Sequence, residues 1–167
     1  MEFAGSGEKK VMVAIDESED SYYALLWVLD NLGDSASKTP LIIFNAQPPP
    51  NYHSVFAAAL GAARMYTPVS ATPEFINSMQ EQERKVSMGL LEKAKTICAS
   101  RGIKAETRTE IGDPKVAILN AVNKYNVNLL VLGNHGISKL KRAFIGSVSN
   151  YCVQNAKCPV LVVKRPE

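Results

Sequence analysis

No stretch of the 167 residues is both apolar and long enough to cross a bilayer, so no membrane partner is expected. No run of five or more Lys or Arg occurs and the formal net charge is only +3, which gives no reason to expect a nucleic-acid partner. Cysteine is scarce. Cys98, Cys152 and Cys158 are odd in number, scattered and without a C-x-x-C, as for free thiols in a reducing compartment. Residues Met1 to Glu8 hold neither a basic cluster nor an apolar core, so they read as a disordered leader, not a secretory signal. The cytoplasm is the expected location, with the nucleus open to so small a chain. Two nucleotide fingerprints are missing as well. No G-x-G-x-x-G follows the first apolar run, against a dinucleotide site, and no G-x4-G-K-[ST] occurs, against a P-loop.

What remains is an ordinary globular composition, 46% hydrophobic and 21% charged, with enough length for one core. Residues 9–165 read as a single domain. Val11 to Asp16 is a nearly all-apolar run, as for a central strand covered on both faces. The segment Glu17 to Ser21 is rich in cap residues and acid. It opens a helix with Tyr22, Leu25, Leu26, Leu29 and Leu32 at helical spacing, closed by Gly33. A second strand spans Leu41 to Ala46. Residues 47–72, punctuated by proline, form a long insert, read as a mobile loop with a transient helix or as a lid or docking segment. Helical periodicity returns from Glu74 to Ser100. Ala105 to Ile111 alternates apolar and charged residues, as a half-exposed edge strand does. Asp113-Pro114 then starts a helix ending near Tyr125-Asn126. A strand Val127 to Leu132, a helix from Ser147 to about Asn155 and a strand Pro159 to Val163 complete the chain. Alternating strands and helices give an open α/β sheet, mostly parallel, with helices on both faces.

The most informative stretch is Leu129 to Gly136, followed after nine residues by Gly146-Ser147-Val148-Ser149. A buried strand stops at Gly133, a second glycine follows at Gly136, and a third opens a helix with two hydroxyls in its first turn. Glycines let main-chain N–H groups close on a ligand, and a helix start leaves N–H donors without partners, so the pattern suits phosphate. The Ser147 and Ser149 hydroxyls and the amides of Gly146 to Val148 are the expected donors. The bland alternative is that the glycines only shape a turn and allow close packing. Asp16 has two readings: N-cap of the first helix with Glu19 in the reciprocal position, or a carboxylate near ribose or a phosphate-bound cation. His135 either meets phosphate or is a polar loop residue. Lys139, Lys141 and Arg142 read as a solvated loop, with phosphate steering as the alternative. If the strands ending at Asp16 and Gly133 are neighbours, the ligand-binding switch point lies between them.

The spacing Gly-x2-Gly-x9-Gly-Ser resembles the nucleotide-binding signature of the universal stress protein family, in its ATP-binding branch, and the likeness spans Val11 to Lys164. The resemblance implies a three-layer, Rossmann-like, adenine nucleotide alpha hydrolase-like sheet of five parallel strands in the order 3-2-1-4-5. It implies ATP or AMP as ligand, with Mg or Mn accompanying ATP, and a homodimer through Val160 to Val163. It places Ala14, Ile15 and Asp16 at the adenosine pocket, Ala46 against the adenine, and Leu132 and Gly133 beside the ribose. His135, Gly136, Gly146, Ser147, Val148 and Ser149 fall in the phosphate set. Asn45 stands where many members have His, and the proline-rich insert looks like that of plant members. The expected function is a dimeric, nucleotide-binding regulatory module of stress responses with protein partners not named by the sequence. The rivals are a slow ATP hydrolase, for which Asp16 and His135 are the only local acid–base groups, and a nucleotide-free scaffold or holdase.

Overall fold

The computed structural model describes residues 7–36, 38–50, 72–134 and 145–166. The mid-part of the insert and the loop holding His135, Gly136, Lys139, Lys141 and Arg142 lie outside the described residues. The elements in chain order are β1 (Val11–Ala14), α1 (Glu19–Asn31), α2 (Gly33–Ala36), β2 (Leu41–Gln47), α3 (Pro73–Ser100), β3 (Ala105–Ile111), α4 (Pro114–Lys124), β4 (Leu129–Gly133), α5 (Ser147–Asn155) and β5 (Val160–Val163).

All strand pairs are parallel, and the spatial order is β3-β2-β1-β4-β5, as the family resemblance implied. Two apolar layers sandwich the sheet. On one face α1 and α3 cover Val13, Ile43 and Val131; on the other α4 and α5 cover Met12, Phe44 and Leu130. β1 is buried along its whole length because it lies mid-sheet with helices on both sides, which is why it reads as an unbroken apolar run. β3 is the edge its alternation foretold, with Glu106 and Glu110 exposed or half-exposed and paired to Arg108 and Lys124.

Several boundaries move. β1 stops at Ala14, not Asp16; Ile15 still donates to the Phe44 carbonyl at 2.8 Å, and the chain then turns into the α1 cap. β4 begins at Leu129, not Val127, and takes in Gly133. β5 begins at Val160, since Pro159 has no N–H and contributes only its carbonyl, to Leu130. Gly33 does not simply close α1: Leu32 is the C-cap and Gly33 opens the short α2. The buried face of α1 is also rotated from the expected one. It carries Ser21, Ala24, Leu25, Val28 and Leu29, while Tyr22 is 42% exposed.

Candidate functional site

The carboxyl ends of β1 and β4 are neighbours, with Ala14 level with Leu132, so the topological switch point falls where the sequence places the ligand. Ala14, Ile15 and Leu132 are buried there and Ala46 is half-buried. Two helix starts, those of α1 and α5, lie at this rim, because each follows its strand and runs back along the sheet.

Beyond β1, the N-cap of α1 is Ser18, not Asp16. Ser18 Oγ accepts the Ser21 amide at 3.2 Å. Asp16 sits behind the cap: its Oδ1 accepts the Ser18 amide at 2.8 Å and also the Ser18 hydroxyl. Asp16 therefore holds the capping residue, which engages one of its carboxylate oxygens. Buried Ser21 closes this turn, its Oγ accepting the Asp16 amide at 3.0 Å and lying 3.0 Å from the Asp16 carbonyl and 3.1 Å from that of Ser18.

Beyond β4, the chain is held between two helices. A Cβ at Gly133 would lie inside van der Waals contact with the Asp20 carbonyl and 2.7 Å from the Ser21 nitrogen. Glycine is thus required here by the close approach of α1. On the other side Ser149 Oγ donates to the Gly133 carbonyl at 3.0 Å, and the side-chain oxygen of Asn134 accepts the Gly146 amide at 2.9 Å. This narrows the expected donor set. The single hydroxyl proton of buried Ser149 and the Gly146 amide are both committed within the protein, and their role is to fix the start of α5 against the end of β4. The rest of the expected set, the amides of Ser147 and Val148 and the Ser147 hydroxyl, lies in the first turn of α5. Gly146, at the N-cap, has no side chain with which to cap the helix itself.

A polar network missed at the sequence level supports the β2 side. Asn45 is 6% exposed; its Nδ2 donates to the Ile15 carbonyl at 2.9 Å, and its Oδ1 accepts Ser87 Oγ at 2.5 Å. Ser87 Oγ lies 3.3 Å from Thr109 Oγ1. The network joins β1, β2, β3 and α3 just below the rim. Asn134 and Arg165, which pairs with Glu19 and Asp20, were also not anticipated. A cleft of about 190 Å³ opens between α1 and α3 and shares Ile15 and Asp16 with the rim. It lies on the face away from α5, walled by Tyr22, Leu25, Leu90 and Lys93, so it is not the β4–α5 corner. Among the described residues no group of three or more His, Cys, Asp or Glu gathers as a metal site, and no helix is long and apolar enough to cross a membrane.

Comparison with known proteins agrees with this fold. The model of the universal stress protein family matches residues 8–164. Universal stress protein YxiE of Bacillus subtilis is 32% identical over 156 residues, which is 93% of this chain and 98% of that protein. Two solved structures share the fold. A universal stress protein family protein from Arabidopsis thaliana with AMP bound is 24% identical, with a TM-score of 0.64 over 95% of this chain and 92% of that one. A universal stress protein in complex with cAMP is 23% identical, with a TM-score of 0.60 over 96% of this chain and 100% of that one. A family model matched over nearly the whole length, together with the strand order and the glycine-bounded rim, shows that the chain belongs to the universal stress protein family.

Proposed function

We propose that this protein binds an adenine nucleotide, ATP or AMP, at the β1–β4 rim and acts as a dimeric regulatory module in stress responses. The observation that carries the reading is the joining of a glycine-ended strand to a helix start that has no side-chain cap of its own, at the switch point of a parallel sheet. The solved relatives that hold AMP and cAMP support the ligand class. Ala14, Ile15 and Ala46 would meet the adenosine, Leu132 and Gly133 the ribose, and Ser147 and Val148 the phosphates with His135 and Gly136. Asp16, Gly146 and Ser149 then shape the site. A divalent cation arriving with ATP would be held mainly by the phosphates and water, with Asp16 as the carboxylate read for it from the sequence.

Binding is favoured over hydrolysis. One carboxylate oxygen of Asp16 is engaged by Ser18, and hydrolysis needs a base that orients water and compensates charge at the γ-phosphate. Turnover is therefore expected to be weak. The dimer is assigned to β5, whose residues Val160, Leu161 and Val162 are only partly buried. Three free thiols suit a cytoplasmic protein.

The test is direct. Protein purified without added nucleotide is denatured, and the supernatant is resolved for AMP and ATP; stripped protein is then titrated with each by calorimetry. Saturable binding with one site per chain is expected. A stripped protein that takes up neither nucleotide at millimolar concentration sinks the reading and favours the scaffold. Phosphate release faster than nucleotide exchange would move it to the hydrolase.

A further inference from the structure

The first turn of α1 is acidic, and an arginine from the far end of the chain answers it. Gly133 is level with Val163 across the β4–β5 ladder, and the Asn134 amide donates to the Val163 carbonyl at 3.0 Å. Lys164 and Arg165 therefore emerge at the same carboxyl rim as Gly133. From there the Arg165 guanidinium turns onto α1, its Nη1 pairing with the Glu19 carboxylate and its Nε lying 3.7 Å from Asp20 Oδ1. Asp20 is also the residue whose backbone carbonyl lies against Gly133. The acidic pair thus stands at the foot of the place where a phosphate chain would lie, with Asp16 and Glu17 separated from it in the chain by Ser18 alone.

Such a pair is useful to α1, since acid at a helix start complements the dipole. It is costly to a polyanion bound next door. The Glu19 side chain is 80% exposed, so its bond to Arg165 adds little to folding stability. What the arginine changes is the local field.

We propose that Arg165 is a positioning and specificity-determining residue: it offsets one of the two negative charges of the Glu19–Asp20 pair beside Gly133 and so sets how well the rim accepts the more highly charged adenine nucleotides. This rests on the adenine-nucleotide reading above. Arg165 acts through the charge of the α1 first turn, not by contact with phosphate, so its influence scales with ligand charge and fades with salt.

ATP, AMP and adenosine are titrated into wild type, Arg165→Gln, and the double variant Arg165→Gln/Glu19→Gln, at low and at physiological ionic strength, with thermal unfolding confirming that each variant is folded. At low salt Arg165→Gln is expected to weaken ATP about tenfold and AMP about threefold and to leave adenosine unchanged, the differences shrinking as salt rises. The double variant, with the wild-type net charge, is expected to recover ATP affinity to within about twofold. Equal loss for all three ligands, or no loss, overturns the proposal. Loss that persists in the double variant overturns it too, since that result assigns Arg165 to direct phosphate contact. A wild type that binds none of the three brings down the nucleotide reading itself, whereas a wild type that binds and is matched by Arg165→Gln brings down only the role of Arg165.

Discussion

Gly133 carries two demands at one Cα. Its place at the end of β4 suits a phosphate loop, and the backbone of Asp20 and Ser21 presses on it from α1. Gly133→Ala is therefore expected to push α1 off the sheet and destabilise the fold by about 1–3 kcal/mol, read from the urea midpoint. An unchanged midpoint would mean that the α1 contact is soft. The glycine itself was legible as a strand terminator, but its second role was not, because nothing in the chain marks Asp20 as its neighbour. Asn45 was illegible for the same reason: its partner Ser87 is 42 positions away, and both look like solvated polar residues until the fold buries them. Asn45→Leu would strip the Ile15 carbonyl and Ser87 hydroxyl of a partner, and a loss of about 1–3 kcal/mol is expected by the same assay. The thiols make a pH prediction. Burial pushes Cys152 up to about 11, with the Cys158 charge a lesser cause. The unfolded chain gives up that proton first, near the ordinary thiol value. Stability is thus whole below about pH 8.5 and falls as pH rises toward about 11. Denaturation series at pH 8 and pH 10.5 should show a larger loss in wild type than in Cys152→Ala, and equal losses would contradict the assignment.

At the scale of elements, the start of α4 is plain in the sequence, whereas the cap of α1 falls on Ser18 and not on Asp16. Asp113 and Pro114 stand at N-cap and first turn of α4 as their types dictate, Asp113 Oδ1 accepting the Lys115 amide at 2.9 Å. Thr72-Pro73 does the same for α3, with Thr72 Oγ1 accepting from Phe75 at 3.2 Å. Caps are local chemistry, decided within four residues. Faces are not. α1 presents Ser21 and Ala24 inward beside Leu25 and Leu29 because it lies close against the β4 backbone, where small residues fit, so counting bulky apolar residues alone includes exposed Tyr22 and misses that part of the face. In α3 the helical periodicity runs the whole length but the burial does not. Its 28 residues span about 40 Å, whereas seven-residue β2 and β3 reach roughly 23 Å. Its buried residues, Ser87, Leu91, Ala94 and Cys98, all fall in the second half, and Phe75 is 56% exposed. Its first half thus extends past the carboxyl edge of the sheet. Amide exchange is expected to divide α3 near Val86, with protection rising by at least about tenfold from Ile76–Arg84 to Leu90–Cys98. Uniform protection along α3 would mean that a partner or the insert covers the first half.

For the whole molecule, chain order is plain in the sequence and spatial order is not; the order β3-β2-β1-β4-β5 is implied by the family resemblance alone. That order leaves two edges, and they differ. β3 carries Glu106, Arg108 and Glu110, charges that discourage pairing with another sheet. β5 is Val160-Leu161-Val162-Val163, with no charge along it. The ladder fixes which groups face outward. Pro159 and Val163 carbonyls accept from Leu130 and Asn134, so inward bonding falls on the odd residues and the N–H and C=O of Val160 and Val162 point away from β4. A two-fold partner adding its own β5 would use them, and the half-buried Val160, Leu161 and Val162 would lose the rest of their exposed surface. Val162→Pro removes one outward donor and no inward one, a change an edge strand tolerates. Sedimentation at micromolar concentration should show wild type as dimer and Val162→Pro as a folded monomer, its thermal midpoint lowered once the partner's stabilisation is gone. A monomeric wild type, or a Val162→Pro dimer as tight as wild type, would put the interface elsewhere than β5.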